Sequence, residues 1–222
     1  MTPSASLKNA LSVIAGRGCL IYPTETYYAL GAGAFYPEAA SRIFALKARE
    51  EAKPLPLVLG SLDQLSLVTQ DRSDELLLLA EKFWPGPLSV LVPAVASLPR
   101  EVQDARGLTS VRVTPHPTAA KLCLDARVPL IATSANKSGC PPAVRPGDLD
   151  PELCRAVDLV LNEPPHPGGG PASTVVGMEP GMRLFVYRQG PVSDTALKRS
   201  LYTMFWFRKA IGLNFSGKVK TI

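Results

Sequence analysis

CLIYPTETYYALGAGAF, Cys19 to Phe35, sets an apolar tetrapeptide against a bend crowded with hydroxyls. CLIY reads as a short buried strand. The segment that follows, PTETYY, packs two threonines, a glutamate and two tyrosines into six residues before a glycine-alanine alternation. PTETYYALGAGAF, Pro23 to Phe35, is too polar for a core strand and too rich in Thr and Gly for a comfortable helix. The expectation is a strand that ends in a hydroxyl-rich bend able to hold a small polar ligand.

Outward from that bend, apolar runs alternate with helical periodicity. Leu7, Ala10, Leu11 and Ile14 share one helix face, stopped by Gly16 and Gly18. Pro37 is placed to open a second helix, with Ala40, Ile43, Phe44 and Lys47 at helical spacing. LPLVLG reads as a strand, SDELLLLAEKFW as a helix begun by Ser73, and WPGP as a turn. LSVLVP and TSVRV are strands, residues 117–126 are helical, and PLIATS is a strand running into a loop. VDLVLN, STVVG and MRLFVYR complete the set, with EPPHPGGGP as a loop and the last two strands placed to pair antiparallel. This order predicts one α/β domain with a mixed sheet. The tail after Asp194, with its LYTMFWFRK cluster, shows no clear alternation and reads either as a docking helix or as a surface for a partner or RNA.

Composition narrows the chemistry. A length of 222 residues and 46% hydrophobic content suffice for one full core. The net charge of +5 suits anionic ligands such as nucleotides or RNA, and many ordinary enzymes share it. Cys19, Cys123, Cys140 and Cys154 show no C-x-x-C spacing and the chain has two histidines, so no protein metal site is expected. The cysteines read as buried thiols of a reducing cytosol. Neither an export signal nor a run of about 20 apolar residues is present, so the expected location is cytoplasmic and not membrane-bound. There is no P-loop, and a catalytic triad is poorly served by two proline-flanked histidines.

Polar clusters at strand ends remain. Lys47, Arg49 and Lys53 lie in KAREEAK, where three cations could neutralise phosphate oxygens or simply be solvated at a helix end. Ser134, Asn136 and Ser138 in ATSANKSG follow a strand, as ligand groups do in α/β sheets and as plain turns do too. Arg112 interrupts an apolar strand and needs either an edge position or a partner, such as a substrate carboxylate. Ser173 and Thr174 open one strand and Arg188 closes another. So many polar groups at the ends of different strands point to one lined cleft.

In this order and spacing the residues resemble the YrdC-like family. PTETYYALG is similar to its P-T-[DE]-T-x-Y-G-L opening, KAREEAKPLPLVLG to its K-x-R element followed by K-P-L, and PLIATSANKSG to its S-x-N element. WPGPLSVLV, VRVTPHP, STVV and YRQGP fall in the family's sequence order, and the likeness runs over roughly residues 7–192. The resemblance implies a twisted mixed α/β sheet with flanking helices around a large basic cavity. It divides the chain into a catalytic domain, 1–194, and a tail of unassigned role, 195–222.

The implied activity is L-threonylcarbamoyladenylate synthesis from L-threonine, bicarbonate and ATP with Mg2+, releasing pyrophosphate. The product would feed a tRNA threonylcarbamoyl-transferase complex. Carried over by motif, Lys47 and Arg49 are catalytic cations, and Arg49, Lys53, Ser134, Asn136 and Arg188 bind ATP. Thr26, Arg112 and Ser173 bind threonine, with Tyr27 or Tyr28 walling the site. The alternative is an RNA-binding module of the same family without turnover. Ala29 and Ala48 stand where family glycines are usual, which would strain the backbone wherever φ must be positive.

Overall fold

Strand β1 (Leu20–Pro23) turns through residues 24–27 into β2 (Tyr28–Gly31), and every position of both is buried. The computed structural model describes residues 4–47, 53–179 and 183–200. YALG is therefore core strand, against the expectation from its polarity. The correction has a physical cause: each buried tyrosine hydroxyl has a partner, Tyr22 donating to the Ile131 carbonyl at 2.8 Å and Tyr28 lying 2.9 Å from His166 Nδ1. Ala29 needs no left-handed backbone, since Arg17 and Arg127 are the non-glycine residues with positive φ among those described.

β1 and β2 pair antiparallel, Tyr22 opposite Ala29, and form the centre of a four-stranded sheet. β3 (Leu57–Leu59), β4 (Leu88–Pro93), β5 (Leu108–Val113) and β6 (Leu130–Ile131) belong to a second, six-stranded sheet. β7 (Thr133–Ser134) returns to the first sheet, pairing Ser134 with Ala29, and β8 (Leu159–Val160) runs parallel to β1 on its other side. β9 (Thr174–Glu179) and β10 (Arg183–Arg188) pair antiparallel as expected and complete the order β10-β9-β4-β5-β3-β6. The single mixed sheet read from the sequence is thus two, joined where the chain passes from β6 to β7 through Ala132.

Helix α1 (Ala5–Ala15) is capped by the Ser4 side chain, which accepts from Leu7 N, and buries Leu7, Ala10 and Ile14. α2 (Pro37–Lys47) buries Ile43, Phe44 and Lys47, and α3 (Asp74–Phe83) starts under a Ser73 cap. α4 (Pro117–Ala126) begins at a proline, and α5 (Pro151–Ala156), which periodicity did not reveal, is capped by Asp150. Strand residues alternate between two apolar clusters. Ile21, Leu57, Leu59 and Ile131 join α2, α3 and β4, while Leu20, Tyr22, Val58 and Leu130 face α1 and α4. Both faces are buried, which is why the strands read as continuous apolar runs.

One expectation changes at the periphery. Cys19 and Cys123 are buried, and desolvation pushes their thiols up to about 11 and about 12, but Cys140 is exposed and Cys154 half-buried. Residues 194–200 are helical, and Leu197 is buried in the main core. The rest of the tail, 201–222, lies outside the described residues, as do Ala48 and Arg49. No helix among the described residues is long and apolar enough to cross a membrane.

Gly31 is tightly enclosed: a Cβ there would lie 1.9 Å from the Ile131 carbonyl oxygen of the other sheet and 2.8 Å from the Tyr22 ring. Gly31→Ala should therefore destabilise the fold at or above the upper end of about 1–3 kcal/mol, the range for overpacking. Gly147, with nothing within 4 Å of its imagined Cβ, is the control, and Gly147→Ala should leave the urea midpoint unchanged.

Candidate active site

The bend between β1 and β2 is closed by Thr24, whose hydroxyl donates to the Tyr27 carbonyl at 2.7 Å. That turn projects Glu25 and Thr26 from the small sheet toward β5 of the large one. Glu25 Oε1 lies 2.7 Å from Arg112 Nη1 as an ion pair, in which Nη1 makes no aligned hydrogen bond, and Glu25 Oε2 accepts from the Thr114 hydroxyl at 3.0 Å. Arg112 lies in an interior strand, between β4 and β3, so its charge is not at an edge; Glu25 is its partner. The Thr26 hydroxyl is 3.5 Å from the same carboxylate.

From the far end of the large sheet comes Arg188. A bulge between Val186 and Arg188 places Arg188, not Tyr187, opposite Val175. Its Nε and Nη2 donate to the Ser173 carbonyl at 3.0 and 2.8 Å. Desolvation and then the nearby Arg112 charge lower the Arg188 pKa, so the two guanidinium groups share one electropositive neighbourhood. Ser173 is buried beside them, and the Thr174 hydroxyl, accepting from Gly190 N and Val192 N, fixes the chain that follows Arg188.

A second group hangs from the same hairpin through the Ala29–Ser134 pairing. Lys47, buried at the end of α2, donates through Nζ to the Ser134 carbonyl and to the Asn136 carbonyl, the latter at 2.7 Å. Ser138 N returns a bond to the Lys47 carbonyl at 3.2 Å. Asn136 donates through Nδ2 to the carbonyls of Lys137 and Cys140, which makes it an organiser of the loop. Beside this loop opens a hollow of about 480 Å3, with Asn136, Lys137, Asp148 and Asp150 among its lining residues.

Of the residues singled out by sequence, Thr26, Arg112, Ser173 and Arg188 gather in the first group and Lys47, Ser134 and Asn136 in the second. Lys53 is exposed, and no hydrogen bond or ion pair among the described residues ties it to either. Arg49 lies outside the described residues.

Sequence reasoning missed Glu25 and Thr114, and read 164–171 as a loop without linking it to the hairpin. That loop straps the hairpin: Gly168 N donates to Glu25 O and Gly169 N to Thr26 O, each at 3.0 Å, and the Tyr27 hydroxyl donates to Gly170 O. Gly169 and Gly170 have φ of 75° and 98°, the left-handed region that glycine enters freely. Both histidines anchor the same loop, His166 on Tyr28 and His116 Nε2 on the Pro165 carbonyl at 3.0 Å. A carbonyl only accepts, so His116 carries its proton on Nε2. The cue lay in the run PPHPGGGP itself, but its partner lies some 140 residues away, as the Tyr27–Gly170 separation of 143 shows.

The fold and this site define an α/β protein that brings cationic and hydroxyl groups from several strand ends into two polar groups attached to one hairpin. The family model described as Telomere recombination, Sua5/YciO/YrdC, matches residues 12–190, and the chain belongs to that family. It is 34% identical over 168 residues to a threonylcarbamoyl-AMP synthase of Xanthomonas campestris pv. campestris, covering 73% of this chain and 88% of that protein. It is 38% identical over 120 residues to a threonylcarbamoyl-AMP synthase of Pyrococcus abyssi, covering 54% of this chain and 35% of that protein. The crystal structure of P. abyssi Sua5 complexed with L-threonine is similar with a TM-score of 0.76 and 26% identity, over 97% of this chain and 62% of that one. This chain thus spans about a third of the curated Pyrococcus relative and most of the Xanthomonas one.

Burial holds the His116 pKa below the ordinary histidine value, while an unfolded imidazole titrates near about 6.5. As pH falls, the unfolded chain takes up this proton first, so the stability contribution is complete above about 6.5 and declines below it. His116→Gln, which keeps an N–H donor for Pro165, should flatten the decline between about pH 6.5 and 5 in urea midpoints measured across that range.

Proposed function

We propose that this chain is a cytoplasmic L-threonylcarbamoyladenylate synthase that makes threonylcarbamoyl-AMP and pyrophosphate from L-threonine, bicarbonate and ATP. The observation that carries the reading is the convergence of Arg112 and Arg188 on Thr26 and Ser173, from parts of the chain up to 162 residues apart, taken as Arg188 minus Thr26. Paired guanidinium groups beside hydroxyls suit a small hydroxylated amino acid with a free carboxylate. The family relationship and the threonine-bound neighbour support the same substrate.

In this reading the amino acid's carboxylate takes Arg112, with Thr26 and Ser173 beside it. The Ser134–Asn136 loop, Lys53, Arg49 and Arg188 receive the nucleotide, and Mg2+ enters as part of the Mg·ATP substrate. The threonine amine adds to CO2 derived from bicarbonate and loses a proton, giving a carbamate. A carbamate oxygen then attacks the α-phosphorus, the bond to the β-phosphate oxygen breaks, and pyrophosphate departs. Negative charge develops on phosphoryl oxygens, so preorganised cations and positioning supply the acceleration, and no protein nucleophile is required. Arg49 is the catalytic cation. Lys47 acts as a positioning residue, because its ammonium is spent on the carbonyls that shape the nucleotide loop. The product is consumed by a tRNA threonylcarbamoyl-transferase complex, and RNA contact by the basic chain is a secondary proposal.

Incubation with ATP, L-threonine and bicarbonate should yield threonylcarbamoyl-AMP by mass spectrometry, and omission of any one substrate should abolish it. Arg49→Ala and Lys47→Ala should each lose about 2–4 kcal/mol of transition-state stabilisation, the range for one preorganised donor, read as pyrophosphate release. Wild-type rates in both variants would remove these residues from the mechanism.

A further inference from the structure

Glu25 stands where the substrate is expected. Among the described residues it is the carboxylate in ion-pair contact with Arg112, and none is in such contact with Arg188. The pair is well enclosed, with Arg112 and Glu25 side chains 10% and 19% exposed. Three contacts fix Glu25: Oε1 on Arg112, Oε2 under the Thr114 hydroxyl, and its backbone carbonyl under Gly168 N. The Thr114 hydroxyl is itself held in place, because it accepts from His116 N at 3.2 Å.

A guanidinium presents the same donors to a carboxylate whether that group belongs to a side chain or to a free amino acid. We infer that Glu25 is an internal stand-in for the carboxylate of the amino-acid substrate: it compensates the Arg112 charge in the ligand-free protein, without an aligned hydrogen bond to Nη1, and cedes Arg112 when the amino acid binds. The inference rests on the function proposed above. It makes Glu25 a positioning residue that sets amino-acid affinity.

Electrostatics explains why a stand-in is needed. Without it, the empty site would hold Arg112 nearly buried and unpaired, with the Arg188 charge close by, and an uncompensated buried charge is strongly destabilising. With it, binding becomes an exchange of one carboxylate for another. Thr114 retains Oε2 throughout, and the greater exposure of Glu25 lets water take up Oε1 as it is displaced. Affinity is then lower than an unopposed guanidinium pair would give, because the competent arrangement must first be opened.

The test uses the full chain and three proteins: wild type, Glu25→Gln and Arg112→Ala. Glu25→Gln keeps the size and an acceptor for Thr114 but removes the charge. Its ligand-free thermal midpoint should fall, and its calorimetric affinity for L-threonine without ATP should rise by about three- to tenfold. Sodium acetate should raise its midpoint above that in sodium chloride of equal ionic strength, whereas the wild type should respond alike to both salts. If wild type binds L-threonine, Arg112→Ala does not, and Glu25→Gln binds it no more tightly, the stand-in is overturned while the proposed function survives. If wild type fails to bind L-threonine, or Arg112→Ala binds it unchanged, the assignment of the amino-acid site falls and the stand-in with it. Should Glu25→Gln not fold, Glu25→Asp, which keeps the charge but draws it back by one methylene, should show the same tighter binding; weaker or equal binding overturns the inference.

Discussion

A guanidinium enclosed in an interior strand imposes the central constraint on this protein. Arg112 carries its charge in the interior strand between β4 and β3, where an unpaired cation is costly, and the anion beside it comes from the other sheet, at the tip of the β1–β2 hairpin. That contact adds a charged link between two sheets already joined through the β6–β7 passage. The hairpin must reach across the gap, its turn must be tight enough to aim Glu25, and a further segment must hold the turn down. Thr24 does the second and the 164–171 loop does the third.

Around this contact, positive charge is arranged by two different physical means. Arg112 and Arg188 are presented by strands and kept close despite their repulsion, Arg188 secured through the Ser173 carbonyl. Lys47 is spent on backbone: its ammonium binds the carbonyls of Ser134 and Asn136 and so holds the loop that carries them. One device supplies fixed charges and the other supplies a shaped loop. Both meet at the hairpin, where Ser134 pairs with Ala29.

Much of this was legible in the sequence, because apolar runs and capping residues are local signals. The Ser73 cap, the proline opening of α2 and the β9–β10 pairing follow from neighbours a few residues apart. YALG was misjudged because composition cannot show that the Tyr28 hydroxyl finds His166, 138 residues away. The bulge that brings Arg188 opposite Val175, the strap over the hairpin and the division into two sheets are likewise non-local. For the site, motif likeness selected residues that the fold does bring together in two groups, and it passed over Glu25, although that residue lies inside the opening motif.

The passage from β6 to β7 has a consequence for how the protein comes apart. Within residues 129–134 the backbone bonds to both sheets: Ala34 N to Pro129 O, Ile131 N to Ala32 O and Ala132 N to Pro56 O, each at 2.9 Å, with Thr133 opposite Leu30. Such a shared seam denies either sheet an independent melting step, because freeing one strips hydrogen bonds from the other. Both groups of site residues therefore hang from strands that this seam ties together.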